Sequence, residues 1–126
     1  MALVLDSGAL MAFDRGDREI AALVEAARRR RDRLVTSSGC VAQSWRGGGA
    51  RQALLARLLS GVEEAPLGPE SSRGVGTLCA KASLADVVDA HLASLAYHGD
   101  LVVTSDPDDL GALLKAAGTK AILRPC

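Results

Sequence analysis

The chain has 126 residues, 48% hydrophobic and 24% charged, a size and balance that suit one hydrophobic core and exclude a disordered or fibrous chain. Residues 1–126 are therefore read as a single domain. Fifteen basic residues balance fifteen acidic ones, and Phe13, Trp45 and Tyr97 are the only aromatics, so net charge names no partner and base-stacking platforms are excluded as the main mode of recognition.

Charge is unevenly spread. Residues 15 to 57 carry ten arginines against Asp17, Glu19, Glu25 and Asp32, whereas residues 58 to 126 carry five basic and nine acidic side chains. A basic half beside an acidic half can attract a polyanion on one surface and gather carboxylates around a cation on another. Cys40, Cys79 and Cys126 are an odd number without CxxC spacing or Cys/His clustering, which indicates free thiols and neither a disulfide framework nor a zinc site. The apolar run Ala2 to Leu5 is broken by Asp6 and has no basic leader, too short for a signal peptide or membrane span. A cytoplasmic location with no membrane partner is the expectation.

Ala2-Leu3-Val4-Leu5 has no polar alternation and reads as a strand covered on both faces, delivering Asp6 to its carboxyl end. From Asp17, a possible N-cap, Ile20, Leu23, Val24 and Ala27 fall at helical spacing, and the helix is expected to end in the run Arg28 to Arg31. Leu34-Val35-Thr36 is a second strand, then Ser37-Ser38 cap a short helix through Val41 and Gln43 that Gly47-Gly48-Gly49 ends. Ala50 to Ser60 is a further helix with Leu54, Leu55, Leu58 and Leu59 on one face, followed by a weak strand over Val62 to Leu67. Pro69 to Lys81 is helical, and Ser83 is expected to cap a helix running to about Tyr97. Leu101 to Thr104 is a fourth buried strand leading to Asp106. Pro107 starts a helix to about Ala117, and Ala121 to Leu123 closes the series as a strand. Helices and strands alternate throughout, so the class is α/β with a mostly parallel sheet.

Open α/β sheets bind ligands outside the carboxyl ends of their strands, where Asp6 and Asp106 both stand. Each is also a ready helix N-cap or turn former. On the expected helix after Ser83, Leu84, Val88, His91, Leu92 and Leu95 form an apolar stripe. Asp89 lies at its edge and Asp86 nearly opposite its centre, which makes Asp89 a cleft acid and Asp86 a first-turn charge complementing the helix dipole. Carboxylates gathered in one cleft repel by about 4 kcal/mol per pair at 4 Å and an effective dielectric of 20. Their convergence therefore calls for a cation, and an all-oxygen donor set favours Mg²⁺ or Mn²⁺ over zinc.

The segments Leu3-Val4-Leu5-Asp6-Ser7-Gly8-Ala9-Leu10, Asp89-Ala90-His91-Leu92-Ala93 and Val103-Thr104-Ser105-Asp106 resemble, in this order, the PIN-domain ribonucleases, and among them the VapC-type toxins of bacterial toxin–antitoxin pairs. The resemblance spans nearly the whole chain. It implies a three-layer α/β/α sandwich whose acidic cluster binds Mg²⁺ or Mn²⁺ and hydrolyses RNA phosphodiesters, with a cognate antitoxin and a homodimer as partners. Asp6, Asp89 and Asp106 look like three of the family's catalytic and metal-binding acids, with Ser7, Ser105, Asp86 and Asp109 at the rim. Gln43, in Val41-Ala42-Gln43-Ser44-Trp45-Arg46, stands where the family usually has Glu. A neutral amide adds no charge and cannot act as a base, so a PIN-like module that binds RNA or protein without cleaving is the competing reading. Replacing Asp6 or Asp106 with Asn is expected to abolish metal binding and to raise metal-free stability by relieving repulsion.

Arg46 and Arg51, close in sequence to Gln43, are candidates for substrate phosphates, with a surface ion pair as the alternative. The run Arg28 to Arg31 with Arg33 is either a phosphate contact or a solvated helix end. Gly47 to Gly49 lacks the following Lys-Ser/Thr of a nucleotide loop and reads as a turn. His91 reads as a buried or interface histidine, and Trp45 as core or interface. A receiver-like phosphoacceptor domain also gathers acids around Mg²⁺. It wants paired acids after the first strand and a Lys after a late one, whereas here Ser7-Gly8 follow Asp6 and Lys120 precedes the last strand.

Overall fold

The computed structural model describes residues 1–126. In chain order the elements are β1 (Ala2–Leu5), α1 (Ser7–Asp14), α2 (Arg18–Arg29), β2 (Arg33–Ser37), α3 (Ser38–Ser44), a 3-10 turn (Ala50–Gln52), α4 (Ala53–Leu59), β3 (Glu63–Ala65), α5 (Pro69–Ala82), α6 (Val87–Ser94), β4 (Leu101–Thr104), α7 (Pro107–Ala117) and β5 (Ile122–Pro125). The uninterrupted apolar run of β1 places it at the centre of the sheet, buried along its whole length. Strand order is β3-β2-β1-β4-β5, with every neighbouring pair parallel.

Parallel neighbours need right-handed crossovers. The two that step from β1 through β2 to β3 lay α1 to α4 on one face, where α1 packs on α2, α3 and α4. The return to β4 and the step to β5 lay α5, α6 and α7 on the other face, packed on one another. A three-layer α/β/α sandwich results, and its 26 buried hydrophobic residues form one cluster, aliphatic apart from Cys40. The step direction reverses between β1 and β4, so the strand order switches there, the place outside the carboxyl ends where open α/β sheets hold ligands.

Besides a last strand shifted to Ile122–Pro125, the structure departs from the expected elements in four places. Ser7–Asp14, which has no amphipathic pattern, is a helix because the Asp6 side chain caps it by accepting from Ala9 N. Ser83 does not begin a helix: it ends α5 in the left-handed region at φ 55°, and Asp86 is the N-cap of α6, which stops at Ser94, short of Tyr97. Residues 50 to 60 divide into the 3-10 turn and α4, whose first turn is supported from outside by Asp14 accepting from Leu55 N at 3.2 Å. The weak strand contracts to Glu63–Ala65. No helix is long and apolar enough to cross a membrane, and all three cysteines are free.

Candidate active site at the carboxyl edge of the sheet

Two strand ends and two helix starts meet at this switch point. Asp6 follows β1 and is only 3% exposed. Its two carboxylate oxygens accept from different elements: Oδ1 from Ala9 N in α1 at 2.8 Å, and Oδ2 from Ser105 N after β4 at 3.0 Å. Asp6 thereby ties α1 to the β4–α7 junction, and its remaining lone pairs stay free to meet a ligand.

Gly8 completes the tie. A Cβ at this position would lie 2.2 Å from Ser105 Oγ and 2.4 Å from Ser105 Cβ, so only glycine lets Ser105 seat against α1. Sequence reasoning assigned Gly8 no role. Its signal was a helix-weakening residue in the first turn next to a candidate acid.

Asp106 is placed differently. Thr104 Oγ1 accepts from Asp106 N at 2.8 Å and fixes the turn into α7, while the Asp106 side chain caps nothing. Its carboxylate is free to face Asp89 on α6 and Asp109 one turn along α7. One ligand oxygen from each of these three acids lies within 4.8 Å of the other two. Asp6 is not one of the three, yet its charge reaches Asp89. Asp86 is the N-cap of α6, not a first-turn acid as expected, and accepts from Asp89 N at 3.0 Å, which fixes where Asp89 starts its turn.

Crowding of like charges shows in the protonation of the cluster. Burial, with the charges of Asp86, Asp106 and Asp6, pushes the Asp89 carboxyl up to about 7. Asp109 is also raised, chiefly by Asp106. His91, two residues beyond Asp89 on the same helix, is buried and its pKa is lowered by desolvation, the behaviour of a core histidine.

The other candidate residues lie at or beyond the rim. Ser7 is the half-buried first residue of α1, and Ser105 is exposed. Gln43 is exposed on α3 and joins no hydrogen bond with the acids. Arg46 folds back on its own helix end, where Nη1 donates to Ala42 O at 3.1 Å and Trp45 O at 2.7 Å. Arg51 is exposed in the 3-10 turn. The arginine run ends α2 at the opposite, amino edge of the sheet, where Arg29 pairs with Glu25, Arg30 with Asp32, and Arg33 with Glu63 at 2.7 Å. A surface role at a helix end accounts for it.

No family model matches the chain, and no curated protein matches it in sequence. Among solved structures, a chain in the crystal structure of VapBC2 from Rickettsia felis, bound to a DNA fragment from their promoter, matches with a TM-score of 0.69 at 13% identity. The match covers 98% of this chain and 99% of that one. With the parallel sheet and its two helical layers, this likeness shows the fold: a three-layer α/β/α sandwich of the PIN-like type.

Proposed function

We propose that residues 1–126 form one functional domain, a metal-dependent endoribonuclease that hydrolyses RNA phosphodiesters as the toxin of a toxin–antitoxin pair. The observation that carries this reading is the convergence of the Asp89, Asp106 and Asp109 carboxylates beside buried Asp6, at the point where the strand order switches. The donor set is all oxygen, with no Cys or His in the cluster, and fits a hard divalent cation such as Mg²⁺ or Mn²⁺. Likeness of fold to a VapBC2 chain supports an antitoxin protein as partner, and the resemblance in sequence adds RNA as substrate and a homodimer as the working form.

When bound, the cation supplies Lewis-acid polarisation of the phosphate and activation of water. The chain's own residues supply placement. Asp106 presents a carboxylate from just before α7 and Asp109 from its first turn, Asp89 presents a third from α6, and Asp6 holds the junction that sets their spacing. Without a cation, Asp89 keeps its proton up to about pH 7, because burial and its acidic neighbours disfavour the charged form. Asp109 offers a carboxylate that partly offsets the charge Gln43 lacks.

The neutral side chain of Gln43 also favours a second reading, a PIN-like module that binds RNA or protein without cleaving it. The test is cleavage of a labelled total RNA pool by antitoxin-free protein with Mn²⁺, with Mg²⁺ and with EDTA, alongside Asp106→Ala. Cleavage that requires both metal and Asp106 supports the nuclease. Absence of cleavage by folded, metal-binding protein, restored by Gln43→Glu, supports the binding module.

A further inference from the structure

The chain between α3 and α4 has three consecutive glycines, Gly47, Gly48 and Gly49, at φ of 93°, 73° and 73°. Such a run has little stiffness of its own, yet one side chain holds it. Gln52 is 8% exposed, and its amide uses both ends. Oε1 accepts from Arg46 N at 2.8 Å and from Gly48 N at 3.0 Å, and Nε2 donates to Ser44 O at 2.9 Å. Only this orientation of the amide serves two N–H groups and a carbonyl together. The backbone so gripped carries Trp45, whose ring lies over Gly48: a Cβ there would be 2.6 Å from Trp45 Cζ2. Trp45, 37% exposed, forms with Val41, Ala56 and Leu59 an apolar groove of about 320 Å³.

We propose that Gln52 is a latch on the segment Ser44–Gly48: its buried amide holds the turn through Arg46 and Gly48, and with Gly48 seated under the ring it fixes the indole of Trp45 as one wall of the apolar groove. Ser44, Arg46 and Gly48 are tied to the same side chain, so they let go together. The Trp45 backbone stays on the end of α3, its N–H donating to Val41 O at 2.8 Å, and the Arg46 guanidinium stays with the carbonyls of Ala42 and Trp45, so release frees the glycines and the indole ring above them.

The test combines amide hydrogen exchange with the fluorescence and quenching of Trp45, the sole tryptophan. In the wild-type protein the Arg46 and Gly48 amides are expected to exchange with protection factors within about threefold of each other, since one group opens both. Gln52→Met keeps the volume and loses all three bonds. It is expected to speed both amides by about tenfold or more, to red-shift the Trp45 emission and to increase its quenching, with cooperative unfolding retained. Gln52→Glu keeps the acceptor for both N–H groups but sets an oxygen against Ser44 O, and is expected to speed both amides by less than Gln52→Met does. Protection factors differing by a hundredfold in the wild type overturn the proposal, whether or not the variants fold. So does a folded Gln52→Met protein with exchange and Trp45 emission unchanged.

Discussion

Asp6 and Asp106 end neighbouring strands, and the fold uses them in different ways. Each Asp6 oxygen receives a backbone N–H, so Asp6→Asn turns one acceptor into a donor facing a donor. It is expected to lower metal-free stability by about 1–3 kcal/mol, the reverse of the gain expected from charge repulsion alone. Asp106 caps nothing and faces other carboxylates, so Asp106→Asn is expected to raise the metal-free Tm by about 3 °C. Melting both variants in EDTA checks the opposite signs. Gly8→Ala belongs to the same scale. Its Cβ meets Ser105 Cβ, which no rotamer change of Ser105 can move aside, and a loss of about 1–3 kcal/mol is expected in denaturant titration. The sequence made Asp6, Asp89 and Asp106 legible as acids at strand and helix ends. It did not reveal the hydrogen bonds that separate a tied carboxylate from a free one, because Ala9 N and Ser105 N are backbone groups that leave no mark on residue type.

At the scale of the element, α6 carries the pH dependence. The Asp89 carboxyl is raised from 3.8 to about 7 in the folded chain, so between these values the native state binds more protons than the unfolded one. Metal-free stability is therefore fully present at about pH 4 and falls as the pH rises to about 7. Solvent screening of this half-exposed group limits the fall to about 1–2 kcal/mol. Urea titrations in EDTA across this range check it, and Asp89→Asn is expected to flatten the slope. The same element shows why local patterns mislead. Ala90, His91, Leu92 and Ala93 are buried in succession, so α6 has no polar face to mark its phase, and Ser83 offered an earlier cap than Asp86. Conversely α2, with Asp17 as N-cap and Ile20, Val24 and Ala27 buried, follows its amphipathic spacing closely.

Across the whole molecule, topology makes the site. Alternating helices and apolar strands indicated a parallel α/β sandwich, and β1 and β4 have the bounds their sequences predict. The order β3-β2-β1-β4-β5 rests on which strands pair across long intervals, information no local pattern holds, and it alone puts the ends of β1 and β4 side by side. The same topology sends the arginine run to the opposite edge. In the function proposed for the chain, this switch point forms one cation site from Asp89, Asp106 and Asp109, with Asp6 as its buried support. Calorimetric titration of metal-free protein with Mn²⁺ tests it most directly. One saturable site is expected in the wild type, lost in Asp106→Asn and weakened about tenfold or more in Asp109→Asn. Binding that is absent from the folded wild type, or unchanged in folded Asp106→Asn, would contradict it.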